Sequence, residues 1–309
     1  MKVALIVPTI RQERIDSWFD SWAKEILGND AALYIVHDRQ DTWDAIDEDL
    51  GSRAGIISRQ NAGIRIWGFL QALREGADVL LSLDDDVLPG EGCVARHIKN
   101  LTEPFAECVW SSVADFRTRG LPFRNVYRTP KVVISHGLWT GTPDLDASTQ
   151  LTQPKLTIEA SNDIALIHRG LYFPMSSMNV AFTKEIAPAL YFPPMGPSAP
   201  FDRFEDIWAG IVAKRVCDHL GLACTSGAPF VHHERASDPF KNLIAEASGV
   251  RENERFWTIV DGAQLTELTI VGCVREIASE FLAEGSDYYR TYGSNLLKWV
   301  DLVETACRS

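Results

Sequence analysis

The chain has 309 residues, 46% of them hydrophobic, and a formal net charge of -12. That acidic balance excludes general nucleic-acid binding, which needs a basic surface, but not a nucleotide held by a few local cations and a metal. Six scattered cysteines without CxxC pairing read as free thiols in a reducing compartment, not as a zinc site or disulfide framework.

Val3-Ala4-Leu5-Ile6-Val7 predicts a buried strand stopped by Pro8-Thr9. The apolar start is broken by Arg11, Glu13 and Arg14 too soon for a secretory signal. With no apolar run of about 18 residues, no membrane span is expected, and the protein reads as cytoplasmic. Residues 12–27 suit a helix with Ile15, Trp18, Phe19, Trp22 and Ile26 on one face. A second strand, Leu33 to Val36, ends at His37-Asp38. A polar Asp/Glu-rich loop, a short strand near Ile56-Ile57-Ser58 and a helix from Ile64 to Glu75 are expected next.

The following strand is Val79 to Leu83, and it runs into Asp84-Asp85-Asp86. Three carboxylates at a strand end are costly to bury without a positive partner. Mg²⁺ or Mn²⁺ takes oxygen ligands and bridges carboxylates to a diphosphate, and open α/β sheets bind ligands at this end. The competing reading is a solvated acidic turn. Alternate residues of an extended segment point the same way, which favours Asp84 and Asp86 over neighbours as a ligand pair. The β-α-β order predicts an α/β protein with a mostly parallel sheet. It carries neither Gly-x-Gly-x-x-Gly nor a Walker-type loop.

Residues 111–155 are rich in Gly and Pro and carry Arg119, Arg128, His136, Asp144 and Asp146. Long ordered loops in compact domains are often functional. Met178 to Phe182 reads as a strand and residues 204–219 as a helix with Glu205 and Asp206 in its first turn, where carboxylates also favour the dipole. Phe230 to His233 is a last strand end. The mostly helical remainder reads as packing or homo-oligomer contact. This gives a catalytic region over 1–245 and a helical extension over 246–309.

Several ordered motifs resemble the reversibly glycosylated polypeptide family, which includes plant UDP-arabinopyranose mutases. They are His136-Gly137-Leu138-Trp139, Pro143-Asp144-Leu145-Asp146 through Leu151, Phe173-Pro174-Met175 and Met178-Asn179-Val180-Ala181-Phe182. Arg203-Phe204-Glu205-Asp206-Ile207-Trp208, Cys217 to Leu222 and His233-Glu234-Arg235-Ala236-Ser237-Asp238 continue the series. Upstream, Pro8-Thr9-Ile10-Arg11, Arg65 with Gly68, and the three aspartates fit as well. The resemblance covers roughly residues 3 to 245.

It implies a glycosyltransferase-A-type, Rossmann-like fold flanked by helices, binding a nucleoside-diphosphate sugar through Mn²⁺ or Mg²⁺. The implied activity is flavin-independent interconversion of pyranose and furanose forms. The alternative is a metal-dependent glycosyltransferase using the same donor. His37-Asp38-Arg39-Gln40 stands where the family tends to carry Asp-Gly-Asp, which leaves the base open between uridine and guanosine.

On this resemblance the nucleotide-sugar contacts are Pro8, Thr9, Arg11, Asp38, Arg65, Asp84, Asp85, His136, Asp144, Asp146 and Asn179. Asp85 is expected at the ribose, and Asp144 and Asp146 at the sugar or as fixings of their own loop. His233 is the expected third metal ligand beside Asp84 and Asp86. Arg119 is implied to be the arginine associated with reversible glycosylation. Its guanidinium is a poor nucleophile but a good bidentate partner for a leaving diphosphate, and Arg128 is a candidate to share that role. Glu205 and Asp206 are candidates to bind sugar hydroxyls or act as general base, with helix capping as competitor for one of them.

Overall fold

Along Val3–Thr9 (β1) successive side chains alternate between the two sides of a sheet, as the two-residue period of an extended chain requires. Ala4 and Ile6 join one hydrophobic cluster and Val3, Leu5 and Val7 the other, so β1 lies between two helical layers. The computed structural model describes residues 1–103, 119–120, 130–197, 199–234 and 238–308. Helix Gln12–Gly28 (α1) covers one face, with Trp18, Trp22 and Ile26 buried. Ala32–His37 (β2) pairs parallel with β1 and forms one edge of the sheet.

Two expectations for residues 38–58 are corrected. The acidic stretch is a helix, Gln40–Leu50 (α2). Trp43, Ile46 and Leu50, spaced three and four apart, give it an apolar stripe, and Ile46 and Leu50 are buried. Residues near Ile56 form no strand: Gly51–Ile56 is a 3-10 helix, and the Ile56 carbonyl accepts from the Tyr191 hydroxyl at 3.1 Å. Apolar burial was right there and its geometry wrong, because a short apolar run fits either form.

Arg65–Arg74 (α3) lies against β1 and β2. A side chain at Gly68 would meet the methyl groups of Ile6 and Val36 at 2.7 Å. Val79–Leu83 (β3) pairs parallel with β1. Val87–Pro89 (β4) follows the acidic loop, and Cys93–Thr102 (α4) joins α1 on the first face. The loop expected over 111–155 is corrected in part, since Val132–Gly141 is a ten-residue strand (β5) and Ala147–Thr152 a short helix (α5). Phe116, Phe123, Arg124 and Arg128 lie outside the described residues.

Ile164–Leu166 (β6), Asn179–Thr183 (β7), helix Glu205–Leu220 (α6) and Ala223–His233 (β8) complete the sheet layer. The order is β2-β1-β3-β7-β5-β8-β4, with β6 on β8. Pairs β1–β2, β1–β3 and β5–β8 are parallel, while β7 runs antiparallel to both neighbours. The sheet is therefore mixed, with the expected parallel pairs inside it. Pro239–Ala247 (α7), Val250–Gly262 (α8), Ile270–Ala283 (α9) and Asp287–Ala306 (α10) form the tail. Phe256, Phe281, Tyr292 and Trp299 from these helices pack in the same cluster as Ile6, Phe69 and Trp208. No helix among the described residues is long and apolar enough to cross a membrane.

Candidate active site

The strand registers bring the singled-out residues to one edge. Thr9 faces His37 across β1–β2, Leu83 faces Asn179 across β3–β7, and Gly141 faces His233 across β5–β8. The reversal of β7 matters here. It delivers the start of that strand, with Ser176 and Ser177 before it, to the edge where β1, β3, β5 and β8 end.

The acidic loop is held from below and from both sides. Trp18 and Trp22 stack with ring centroids 5.3 Å apart, and their indole N–H groups donate to the carbonyls of Asp84 (3.1 Å) and Val87 (2.9 Å). Asp85 is buried and saturated. Its carboxylate accepts from the Thr9 hydroxyl at 2.5 Å and from the Arg11 guanidinium. Arg11 also donates to Asp86 at 3.1 Å. Asp84 is taken by Arg65 at 2.6 Å. Arg65 is itself almost wholly buried and donates to Ala62 O, Ser82 Oγ and Ser177 O. Three adjacent carboxylates therefore stand on two fixed arginines.

Asp86 keeps a raised pKa, first through burial and then through the charge of Asp84, while Arg11 and His233 pull it down. His233 has its Nδ1 2.7 Å from the Thr142 carbonyl oxygen. A carbonyl only accepts, so Nδ1 carries a proton, and in the neutral ring Nε2 keeps its lone pair. Outward-facing imidazoles in metal sites are fixed in this way. Among the described residues no three such side chains are already gathered as a metal cage. Two carboxylates and an Nε2 lone pair at one edge fit Mn²⁺ in chemistry.

The second half of the site is a carboxylate pocket organised by Ser176 and Ser177, which the sequence reading passed over. Ser176 donates through Oγ to Asp144 at 2.7 Å and through N–H to His136 Nε2 at 3.2 Å. Ser177 donates through N–H and Oγ to Asp206 at 2.9 and 2.8 Å. Burial, helped by the charges of Asp206 and Asp84, pushes Asp144 up to about 6. Burial and then Asp206 push Glu205 up to about 8. His136, edge-on to Trp139 and Phe173, is lowered to about 4 by burial.

Other expected contacts turn inward. Asn179 is fully buried, with its amide nitrogen donating to Leu138 O (2.9 Å) and Pro229 O (3.0 Å) and its oxygen 2.9 Å from His97 Nε2. This tie also accounts for Gly137, where a side chain would collide with the Asn179 amide and the Pro229 carbonyl. Asp38 accepts from Trp43 Nε1 at 2.7 Å and Asn61 N at 3.0 Å. Asp146 caps α5 through Thr149 N at 2.9 Å. Pro8 is the buried penultimate residue of β1. Arg119 is exposed, and Arg128 lies outside the described residues. Beyond His233, a cavity of about 450 Å³ is lined by Thr142, Gln150, Gln153, His232 and Glu234 among others.

Residues 3–307 match the family described as "Reversibly glycosylated polypeptide", and the chain belongs to that family. It is 33% identical over 291 residues to "Probable UDP-arabinopyranose mutase 4" of Arabidopsis thaliana, covering 88% of this chain and 78% of that protein. It is 32% identical over 289 residues to "UDP-arabinopyranose mutase 1" of the same plant, covering 87% and 78%. To "Probable UDP-arabinopyranose mutase 1" of Solanum tuberosum it is 32% identical over 289 residues, covering 87% and 77%.

Proposed function

We propose that this member of the reversibly glycosylated polypeptide family is a flavin-independent, metal-dependent mutase. It would interconvert the pyranose and furanose forms of a nucleoside-diphosphate sugar. The observation that supports this best is the pairing of two unlike halves along one sheet edge. An aspartate loop braced by Arg11 and Arg65 suits a diphosphate bound through a cation. A carboxylate pocket around Ser176 and Ser177 suits the hydroxyls of a sugar. The relatives' printed names point to a UDP-pentose, and a GDP-sugar stays within the proposal because the base loop around Asp38 differs from the family pattern.

Asp84, Asp86 and His233 would hold the Mn²⁺ or Mg²⁺. When bound, that ion would supply charge neutralisation to a departing diphosphate. The chain's own work is positional. Arg65 fixes Asp84, Arg11 fixes Asp85 and Asp86, and the Thr142 carbonyl sets the His233 tautomer. Arg119 is assigned to the leaving diphosphate as an electrostatic partner. Asp144 and Asp206 are assigned to sugar hydroxyls, each already oriented by a serine. Retaining both fragments matters, because escape of the sugar would turn the reaction into hydrolysis.

The polar cavity beside His233, lined by Thr142, Gln150, Gln153 and Glu234 among others, favours one second reading, a glycosyltransferase whose acceptor sits there. Purified protein incubated with UDP- and GDP-sugars and Mn²⁺, without acceptor, separates the two. Ring interconversion followed by NMR supports the mutase. Sugar transfer only on addition of an acceptor, with no ring change, overturns it.

A further inference from the structure

Glu205 and Asp206 are consecutive carboxylates at the start of α6, yet their surroundings differ. Asp206 accepts three hydrogen bonds: Ser177 N and Oγ on one oxygen, and Ile207 N at 2.9 Å on the other. Burial raises the pKa of Asp206 too, while the Ser177 bonds and Arg65 hold it down, and the Ile207 contact is the helix-end role available to either residue. Glu205 has a different setting. It is 7% exposed, and its Oε2 is buried without a hydrogen-bond partner. It is the only carboxylate among the described residues with such an atom. Its own backbone N–H at the helix start donates to the carboxyl, yet Oε2 stays without a partner.

A buried carboxyl oxygen without a donor is tolerable only when the group is neutral. The groups that face Glu205 come from several elements. Asp206 and Asp202 raise its pKa, and Arg65 of α3 lowers it. Tyr288 of α10 is close enough to be raised in turn by the Glu205 charge. Burial and two aspartates outweigh the residue's own backbone N–H and the arginine. Both carboxyl groups are raised by burial, but only Asp206 has donors on both oxygens. Unequal surroundings of neighbouring carboxyls are how protein sites commonly divide acid and base work.

Resting on the mutase reading above, we propose that Glu205 is the proton carrier of the ring change. Once the diphosphate has left C1, the attacking hydroxyl bonds to C1 through its oxygen. Glu205 as the neutral acid gives its proton to the original ring oxygen as that oxygen leaves C1 with the bonding pair. As the resulting carboxylate it takes the proton from the newly bonded oxygen. One C–O bond breaks, one forms, and one proton moves from the attacking oxygen to the departing one. Glu205 is regenerated protonated, and nothing is oxidised or reduced. The diphosphate leaves C1 with its bonding pair and returns to it, a separate event in which Glu205 takes no part. Asp206, bound to Ser177, is a positioning residue for the sugar.

That separation supplies the test. A nucleotide sugar with ¹⁸O in the bridge between C1 and phosphorus reports C1–O cleavage by scrambling of the label, and furanose formation reports the ring change. Glu205→Gln should keep scrambling within about threefold of wild type while furanose formation falls by about 10²- to 10⁴-fold, the usual size of an acid–base contribution. Equal loss of both reactions in a variant with unchanged thermal midpoint and substrate affinity overturns the assignment, and so does full retention of both. Should Glu205→Gln fail to fold, the wild type decides. Furanose formation should decline relative to scrambling above about pH 8, and a constant ratio from pH 6 to about 9.5 sinks the proposal. A wild type that neither scrambles label nor changes the ring refutes the mutase reading itself, which distinguishes the two failures.

Discussion

The Arg65 guanidinium sits 2.6 Å from the Asp84 carboxylate and 2.9 Å from the Ser177 carbonyl, joining the two halves of the site through one buried side chain. Its donors serve four different residues, counting Ala62 and Ser82. A resemblance had placed Arg65 among the substrate contacts. Its geometry also makes it a strut between the two halves, with four of its five N–H donors used inside the fold.

Removing a buried charge partner typically costs about 3–5 kcal/mol, because the remaining group is stranded. Arg65→Ala should therefore lose stability on that order in urea unfolding. Arg65→Lys should fall between it and wild type, since an ammonium cannot span the same acceptors as a planar fork. A loss under about 1 kcal/mol in the alanine variant would show that water replaces these contacts.

The metal assignment predicts a different pattern at the loop itself. Asp86→Ala and His233→Ala should both weaken Mn²⁺ binding measured by calorimetry, and each should keep a near-wild-type thermal midpoint. Both groups sit at the sheet edge and not in either apolar cluster. Wild-type activity should vanish on chelation and return with Mn²⁺. Unaltered Mn²⁺ affinity in His233→Ala would make its bond to Thr142 a purely structural one.

For Arg119 the charge and the covalent roles separate cleanly. An electrostatic contact to the leaving group predicts partial activity in Arg119→Lys and a larger loss, a few kcal/mol of barrier, in Arg119→Ala. A covalent role predicts a sugar adduct on Arg119 that forms and decays fast enough for turnover. Rapid quench with radiolabelled nucleotide sugar and peptide mapping would find such an adduct, and finding it would retire the electrostatic role.

The buried imidazoles should make stability depend on pH. His97 and His136 are both lowered to about 4, chiefly by burial. The unfolded chain then binds more protons than the folded one between about pH 4 and 6.5. Stability from the neutral rings is present above pH 6.5 and is lost as pH falls through 4, on the order of 3 kcal/mol for each ring. Asp144, raised to about 6, opposes this with the reverse sign between 3.8 and about 6. Glu205, raised to about 8, and the raised Asp206 and Asp86 oppose it as well, so the imidazole share is read by difference. His97→Gln, which keeps a donor and an acceptor without titrating, should gain urea stability relative to wild type as pH falls from 7 to 4.5, which changes the slope. An unchanged slope in the variant would remove His97 from the account.

The parallel core of the fold was legible because Val3 to Val7 and, apart from Ser82, Val79 to Leu83 are apolar on both faces, a pattern that a covered sheet explains. The strand-end aspartates were legible for the same reason, since a buried strand cannot end in three acids without partners. Those partners were not all legible. Arg11 and Arg65 were singled out for substrate, and only the fold shows Arg65 spent on Asp84. Ser176 and Ser177 carry no charge and lie between quoted motif segments, so nothing in the sequence marked them. The one available signal was their place before β7, a strand whose reversed direction no local pattern reveals. Glu205 and Asp206 looked interchangeable in sequence, because burial and hydrogen bonding, not residue type, set their difference.

The two stacked indoles under the acidic loop have a practical consequence in spectroscopy. Trp18 and Trp22 are tied by their N–H groups to the backbone carbonyls at the start and just past the end of the three-aspartate stretch. The chain holds nine tryptophans, so a ¹⁵N-tryptophan sample gives a side-chain spectrum sparse enough to assign by single Trp→Phe replacements. Two of those resonances watch the loop directly. Titration with Mg²⁺, which is diamagnetic and leaves the lines sharp, would turn them into a readout of loop occupancy that requires no turnover and no knowledge of the sugar.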